Sequence, residues 1–273
     1  MIVYRRQLHG IYMDRAGFGR DVDEFTEAHQ RRELRAQEKG VRLALVSGRP
    51  THGVEPLAEA LSMGTFGGYL ISYNGGRIVD YKTRDVLYRR SIPEASLPAL
   101  CALPHRYPAL TAIVYHGATL LTEDPDNPYV RFDGGVNHMH IVGVEDLYKA
   151  LDFCPAKFLF PGDAGFIARF LPQLQRDMPN LSIYCSEPYY LEVMPPHVDK
   201  GDALSALAQK AGLLQEELLA FGDGFNDVSM LRYAGCGVAM GNAQPPTKAA
   251  ADFVTKTNDE DGIVYALQYF EVL

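Results

Sequence analysis

Three short apolar runs, VRLALVSGRP (residues 41–50), ELLAFGD (217–223) and CGVAMGN (236–242), each break off at a polar, glycine-bearing turn. Helix-like segments flank them: TEAHQRRELRAQEKG closed by Gly40, HGVEPLAEALSM, KGDALSALAQKAG, FNDVSMLRYAG and QPPTKAAADFVT. Runs this short and this continuously apolar suit strands covered on both faces, as in a parallel sheet. Alternation with helices is the grammar of βαβ units, so the two ends of the chain together predict a doubly wound α/β fold. GYLISYNGG adds a further apolar strand, and RIVDYKTRDVLYRRSI alternates as half-exposed antiparallel strands do.

From Thr83 to Glu187 the texture changes. LTAIVYHGATLLTED suggests a strand pair, and FCPAKFLFPGD, AGFIARFLPQLQRDM and LSIYCSEPYYLEVMP read as strand, helix and strand. The expected organisation is therefore a core of residues 1–82 and 188–273 with an α+β cap inserted over 83–187. At 273 residues, 47% hydrophobic and 22% charged, the chain has the balance of a packed globular protein of two modest domains.

The formal charge of -8 argues against nucleic acid or an anionic membrane as partner. An anionic ligand would need local positive charge. Four scattered cysteines without a C-x-x-C pair, and no charged-then-apolar opening segment, point to reduced thiols and a cytoplasmic location. No apolar run approaches the roughly 18–20 residues that cross a bilayer. A monomer or weak homodimer is expected.

Ligands of open α/β sheets sit beyond the carboxyl ends of the strands. Ser47, Asp223 and Gly241 all lie at such ends, and Asn226 and Asp227 open the next helix. Two hard carboxylates converging there suit magnesium, which keeps waters free for a phosphate. Read singly, Asp227 could be a helix N-cap, Asp223 and Ser47 turn residues, and Lys200 a solvated lysine. Read together, a hydroxyl (Ser47), an ammonium (Lys200) and a carboxylate pair (Asp223, Asp227) make a site for a phosphoryl group.

In this order, VSGRP, YLISYNGG, LEVMPPHVDKGDAL and FGDGFNDVSML, followed by VAMGNA and TNDEDGIVYAL, resemble the haloacid dehalogenase-like phosphatases, and among them the Cof-type sugar-phosphate phosphatases. The match runs from about Thr26 to the C-terminus. The resemblance implies a Rossmann-like core with an inserted cap, Mg2+, and hydrolysis of a small phosphorylated metabolite through a phospho-aspartate. It further implies that Ser47 and Gly48 bind the phosphoryl oxygens, that Lys200 neutralises nucleophile and phosphate, and that Asp223 ligates the metal. Asn226 and Asp227 would orient the site, Asp227 as a further metal ligand, while Arg49 and Asn74 line the entrance. Within the cap, Tyr115, His116, His138, His140, Glu187, Tyr189 and Tyr190 are candidates for substrate contact.

The N-terminus departs from the family. Its members open with an apolar strand and D-x-D-G-T, whose first aspartate attacks phosphorus and whose second is general acid and base. This chain reads MIVYRRQLHGIYMDRAGFGRDVDEF. Counting back from Ser47 puts Tyr12 in the nucleophile's place and Asp14 in that of the acid and base, where it would also meet the metal. A phenol stays protonated at neutral pH and cannot replace that carboxylate. The DVD of Asp21–Asp23 reads instead as helix-start chemistry. Two explanations stay open: a lost nucleophile, which would leave a catalytically inactive phosphometabolite-binding protein on the same fold, or a local reading-frame error in the source gene. A phosphomutase, or a sucrose- or mannosyl-phosphate phosphatase, is a third reading. Little turnover but measurable phosphate binding is the expectation for the chain as written.

Overall fold

The computed structural model describes residues 10–14 and 34–273, the first five by their backbone. Its strands, numbered in chain order, are β1 (Gly10–Asp14), β2 (Arg42–Val46), β3 (Gly68–Ser72), β4 (Arg77–Asp80), β5 (Val86–Arg89), β6 (Ile113–His116), β7 (Thr119–Thr122), β8 (His140–Gly143), β9 (Phe158–Pro161), β10 (Ser182–Glu187), β11 (Tyr190–Met194), β12 (Leu218–Gly222), β13 (Cys236–Ala239) and β14 (Phe253–Val254). They form two sheets in a mixed α/β fold: eight strands in the order β14-β13-β12-β1-β2-β3-β4-β5, and six in the order β10-β11-β9-β6-β7-β8.

Two compact units result. One holds the described residues up to Gly48 with Val54–Tyr88 and Asp199–Leu273; the other holds Arg49–Gly53 and Arg89–Val198. Both differ at their edges from the expected cap of 83–187. At the first boundary, β5, which falls within the expected cap, continues the eight-stranded sheet. At the second, Tyr190–Met194 pairs antiparallel with both β9 and β10, so the strand expected at the restart of the core completes the other sheet. Strand pairing, which apolar texture does not encode, sets both edges.

In the first unit β14, β13, β12, β1, β2 and β3 run parallel. Their apolar runs are short because a parallel strand needs only five or so residues to cross a layer covered on both faces. All of β12 is buried, as are the last four residues of β2. Helix Lys200–Ala211 packs here through Ala203, Leu204, Leu207 and Ala208, starts where the Asp199 side chain accepts from the Asp202 N–H, and stops at Gly212 in the left-handed conformation. The TEAH stretch and DVD lie outside the described residues, which resume with the helical turn at 34–38.

Register fixes what arrives at the carboxyl edge. Tyr12 lies abreast of Ala44 and Ala220, two residues inside the sheet. Asp14 is the last residue of β1, abreast of Val46, which immediately precedes Ser47. On the other flank Met13 pairs with Phe221, so Asp14 comes level with Gly222, just before Asp223.

In the second unit, Val114, Phe158, Phe160, Leu191 and Val193 face a core shared with Ile167, Phe170 and Leu174 of helix Ala164–Asp177. The alternate positions Tyr115, Lys157 and Glu192 are buried on the other face. All four cysteines are unpaired, and burial pushes the Cys101 thiol up to about 12. No helix among the described residues is long and apolar enough to cross a membrane.

The turn after β3 is a local constraint with a direct test. Gly75 has φ +104, and a Cβ there would meet the Asp199 carbonyl oxygen at 2.4 Å, against the N-cap of helix Lys200–Ala211. Left-handed strain and overpacking each cost about 1–3 kcal/mol. Gly75→Ala is expected to lower unfolding free energy by roughly 2–6 kcal/mol in urea denaturation, on the same account.

Candidate active site

Three loops of the first unit, following β2, β3 and β12, carry the polar residues at the sheet's carboxyl edge. The β12 loop, Gly222–Asp227, is organised around one carboxylate. Asp227 is fully buried; its Oδ1 accepts from the Lys200 Nζ at 2.6 Å, and its Oδ2 accepts from the backbone N–H groups of Asp223 and Gly224, both at 2.9 Å. Lys200 is only 1% exposed. Gly222 allows this approach, since a Cβ there would lie 2.5 Å from that of Asp227. The loop is thus tied to the first residue of helix Lys200–Ala211, and the Gly201 N–H, donating to Ser229 Oγ, ties the same helix to the residues that follow the loop.

Asp223 is presented differently. It is half-buried, and one carboxylate oxygen accepts from Asn242 Nδ2 at 3.2 Å. Burial, and after it the charge of Asp227, hold its carboxyl above the usual range, while Lys200 and the hydrogen bonds pull the other way. A carboxylate held at a strand end with surplus negative charge suits a hard cation, which binds through one or two such groups. Asp223 therefore fits magnesium as donor. The Asp227 oxygens are already engaged by Lys200 and two N–H groups, which makes this residue the organiser of the loop. Asn242 had no expected role. Its signal lay in the GNA that ends the β13 run, and Asn242 Oδ1 also accepts from the Asn258 N–H in the TNDEDG stretch.

After β2, Ser47 is buried and its N–H donates to the Ile71 carbonyl. Asn74 departs from its expected place at an entrance: it is 6% exposed, its N–H donates to the Ser47 carbonyl at 3.0 Å, and its Oδ1 accepts from Asn226 Nδ2 at 3.1 Å. Proximity of the loops, invisible in sequence, draws it inside. Gly48 belongs with these residues and Arg49 does not, because Arg49 groups with the second unit, donating to the carbonyls of Gly53 and Val136.

Among the cap candidates, Tyr115 is buried and donates to Asp133 Oδ2 at 2.7 Å; Asp133, raised by burial, also accepts from Asn137. Tyr190 is buried, and Tyr189 stacks on Tyr129. His116 stacks on Phe153, while His138, His140 and Glu187 are exposed. The sequence missed the buried Lys157–Glu192 pair, 3.3 Å apart, which needed the strands' alternation to reveal it.

A family model described as haloacid dehalogenase-like hydrolase matches residues 22–267. The chain is similar to a solved haloacid dehalogenase-like hydrolase from Bacteroides thetaiotaomicron, 39% identical, with a TM-score of 0.90 over 96% of this chain and 99% of that one. It is 29% identical over 235 residues to the 5-amino-6-(5-phospho-D-ribitylamino)uracil phosphatase YcsE of Bacillus subtilis, covering 86% of this chain and 84% of the relative. Over 243 residues it is 28% identical to the pyridoxal phosphate phosphatase YbhA of Escherichia coli, covering 84% and 86% respectively.

Two outcomes test the electrostatics. Lys200→Met strands a fully buried carboxylate and is expected to cost about 3–5 kcal/mol in chemical denaturation. For Asp223 the folded carboxyl lies above its unfolded value, so ionisation opposes folding above that value. Asp223→Asn should raise the melting temperature at about pH 7 in chelator, and the gain should disappear as pH falls below about 4.

Proposed function

The chain belongs to the haloacid dehalogenase-like hydrolase family, and we propose that it is a magnesium-dependent phosphatase of small phosphorylated metabolites that works through a phospho-aspartate. The observation carrying this reading is the loop at the end of β12, in which the Lys200–Asp227 pair pins the Asp223 and Gly224 N–H groups beside the carboxyl ends of β1 and β2. Relatives named for pyridoxal phosphate and for a phosphoribitylamino-uracil support the substrate class. A sugar phosphate is the narrower expectation carried by the motifs.

The register of β1 favours Asp14 over Tyr12 as the attacking residue. Tyr12 sits two residues inside the sheet, whereas Asp14 ends its strand as Val46 and Gly222 end theirs. An Asp14 carboxylate oxygen forms the bond to phosphorus as the bond to the leaving oxygen breaks, and water then hydrolyses the acyl phosphate. Ser47 and Gly48 hold phosphoryl oxygens, and Lys200 supplies positive charge beside them. Magnesium held by Asp223 and Asp14 would supply charge neutralisation of those oxygens. Two positions after Asp14 the chain carries Ala16, which has no proton to give. Leaving-group protonation then falls to water, which slows turnover of sugar phosphates and other alkyl esters relative to an aryl ester with a better leaving group.

Phosphate release from p-nitrophenyl phosphate and an alkyl phosphate panel, with magnesium and with chelator, tests the reading. Asp14→Asn should lower the rate at least roughly 10^3-fold, and Tyr12→Phe should leave it nearly unchanged. Ala16→Asp is expected to raise turnover of alkyl phosphates more than that of the aryl ester. Full activity of Asp14→Asn would refute the assignment; phosphate binding without any turnover would favour a non-catalytic binder.

A further inference from the structure

We infer that Asn74 is a positioning residue for this reaction, its amide clamping the Asn226 side chain of the β12 loop onto the Ser47–Gly48 loop that follows β2. The kinetic part of the inference rests on the phosphatase reading; the clamp itself does not.

Asn74 stands in the left-handed conformation, φ 53 and ψ 29, directly after Tyr73, which also has φ 53. Asparagine tolerates that region better than other side-chain-bearing residues, whereas an aromatic residue there is held against its preference. The surrounding contacts account for the hold. Asn74 N–H ties the turn to the Ser47 carbonyl, and Gly75 packs against the Asp199 carbonyl at the start of the Lys200 helix. The amide then runs between two loops. On one side it lies so close to Gly48 that a Cβ there would meet its Oδ1 at 2.8 Å and its Nδ2 at 3.1 Å. On the other, its Oδ1 accepts from Asn226, 152 residues away in the chain.

Asn226 needs such a hold because the residue is exposed and would otherwise sample several rotamers. Its own Oδ1 is turned back onto Gly224, where a Cβ would lie 2.7 Å away. The side chain is thereby held through its nitrogen on Asn74, and its oxygen lies over Gly224, where only a glycine leaves room for it. A glycine at position 48 serves the same clamp by leaving room for the Asn74 amide. Small displacements of a positioning group cost catalysis far more than stability, up to about 10²-fold for an ångström.

Asn74→Gly separates the side chain from the backbone, since glycine keeps the left-handed turn at little cost. In this variant kcat/KM is expected to fall about 10–100-fold, the loss lying in kcat more than in KM. Asn226→Ala should produce a similar loss, and the double variant should be no worse than the poorer single one, since both remove one interaction. Independently of turnover, the Asn226 side-chain amide resonance, assigned by its absence in Asn226→Ala, should move towards the exposed-amide position in Asn74→Gly while the backbone spectrum is preserved. Losses that add in the double variant, an unchanged rate in Asn74→Gly, or an unmoved Asn226 resonance would each overturn the inference. If the wild-type chain hydrolyses no phosphate ester, the phosphatase reading alone falls, and the resonance still decides whether the clamp exists.

Discussion

The carboxyl edge of the first sheet depends on the ion pair between Lys200 and Asp227. Both side chains are out of water, so each charge has lost several kcal/mol of hydration that only close, fully hydrogen-bonded geometry can offset. That requirement explains the arrangement around them. Asp227 uses its second oxygen on two backbone N–H groups, Gly222 lets it press against the strand end, and Lys200 is the first residue of a helix capped by Asp199. An apolar pair could fill the same volume at no electrostatic cost. What it could not do is hold two N–H groups in a fixed direction beside the end of β12.

Sheet order determines what the pair is next to. β1 lies between β2 and β12, so the chain leaves β1 to one side and returns on the other only after the long excursion through the second unit. Connections diverging from neighbouring parallel strands open a crevice at their carboxyl ends, the place where ligands of such sheets bind. Asp14, Ser47 and Asp223 end or immediately follow the three strands that border it. None of them is near another in sequence, and no local preference brings them together.

The second unit meets a different constraint. Its six-stranded sheet uses one face for an apolar core, while the other buries Lys157 against Glu192 and Tyr115 against Asp133. The buried groups are paired, as burial demands, and burial nonetheless keeps the Asp133 carboxyl above its usual range. Polar groups held this rigidly give a face chemical character that apolar packing would not.

The sequence alone determined the βαβ grammar, the family resemblance and most of the polar residues of the carboxyl edge, because each is local: continuous apolar runs mark buried parallel strands, and strand ends mark where ligands sit. Ser47 and Asp223 were legible as strand-end residues, and Lys200 and Asn226 as residues at the starts of helices. The cap's edges were not, since β11 joins the second sheet by pairing with strands that precede it in the chain, and apolar alternation is the same in either sheet. Counting back from Ser47 puts Tyr12 in the nucleophile's place and Asp14 in that of the acid and base, whereas the ladder to Val46 sets Asp14, not Tyr12, at the strand's end. Asn74 and Asn242 were visible as letters without these partners. Those partners, Asn226 and Asp223, lie 152 and 19 residues away, and a hydrogen bond between loops exists only once the sheet has set those loops side by side.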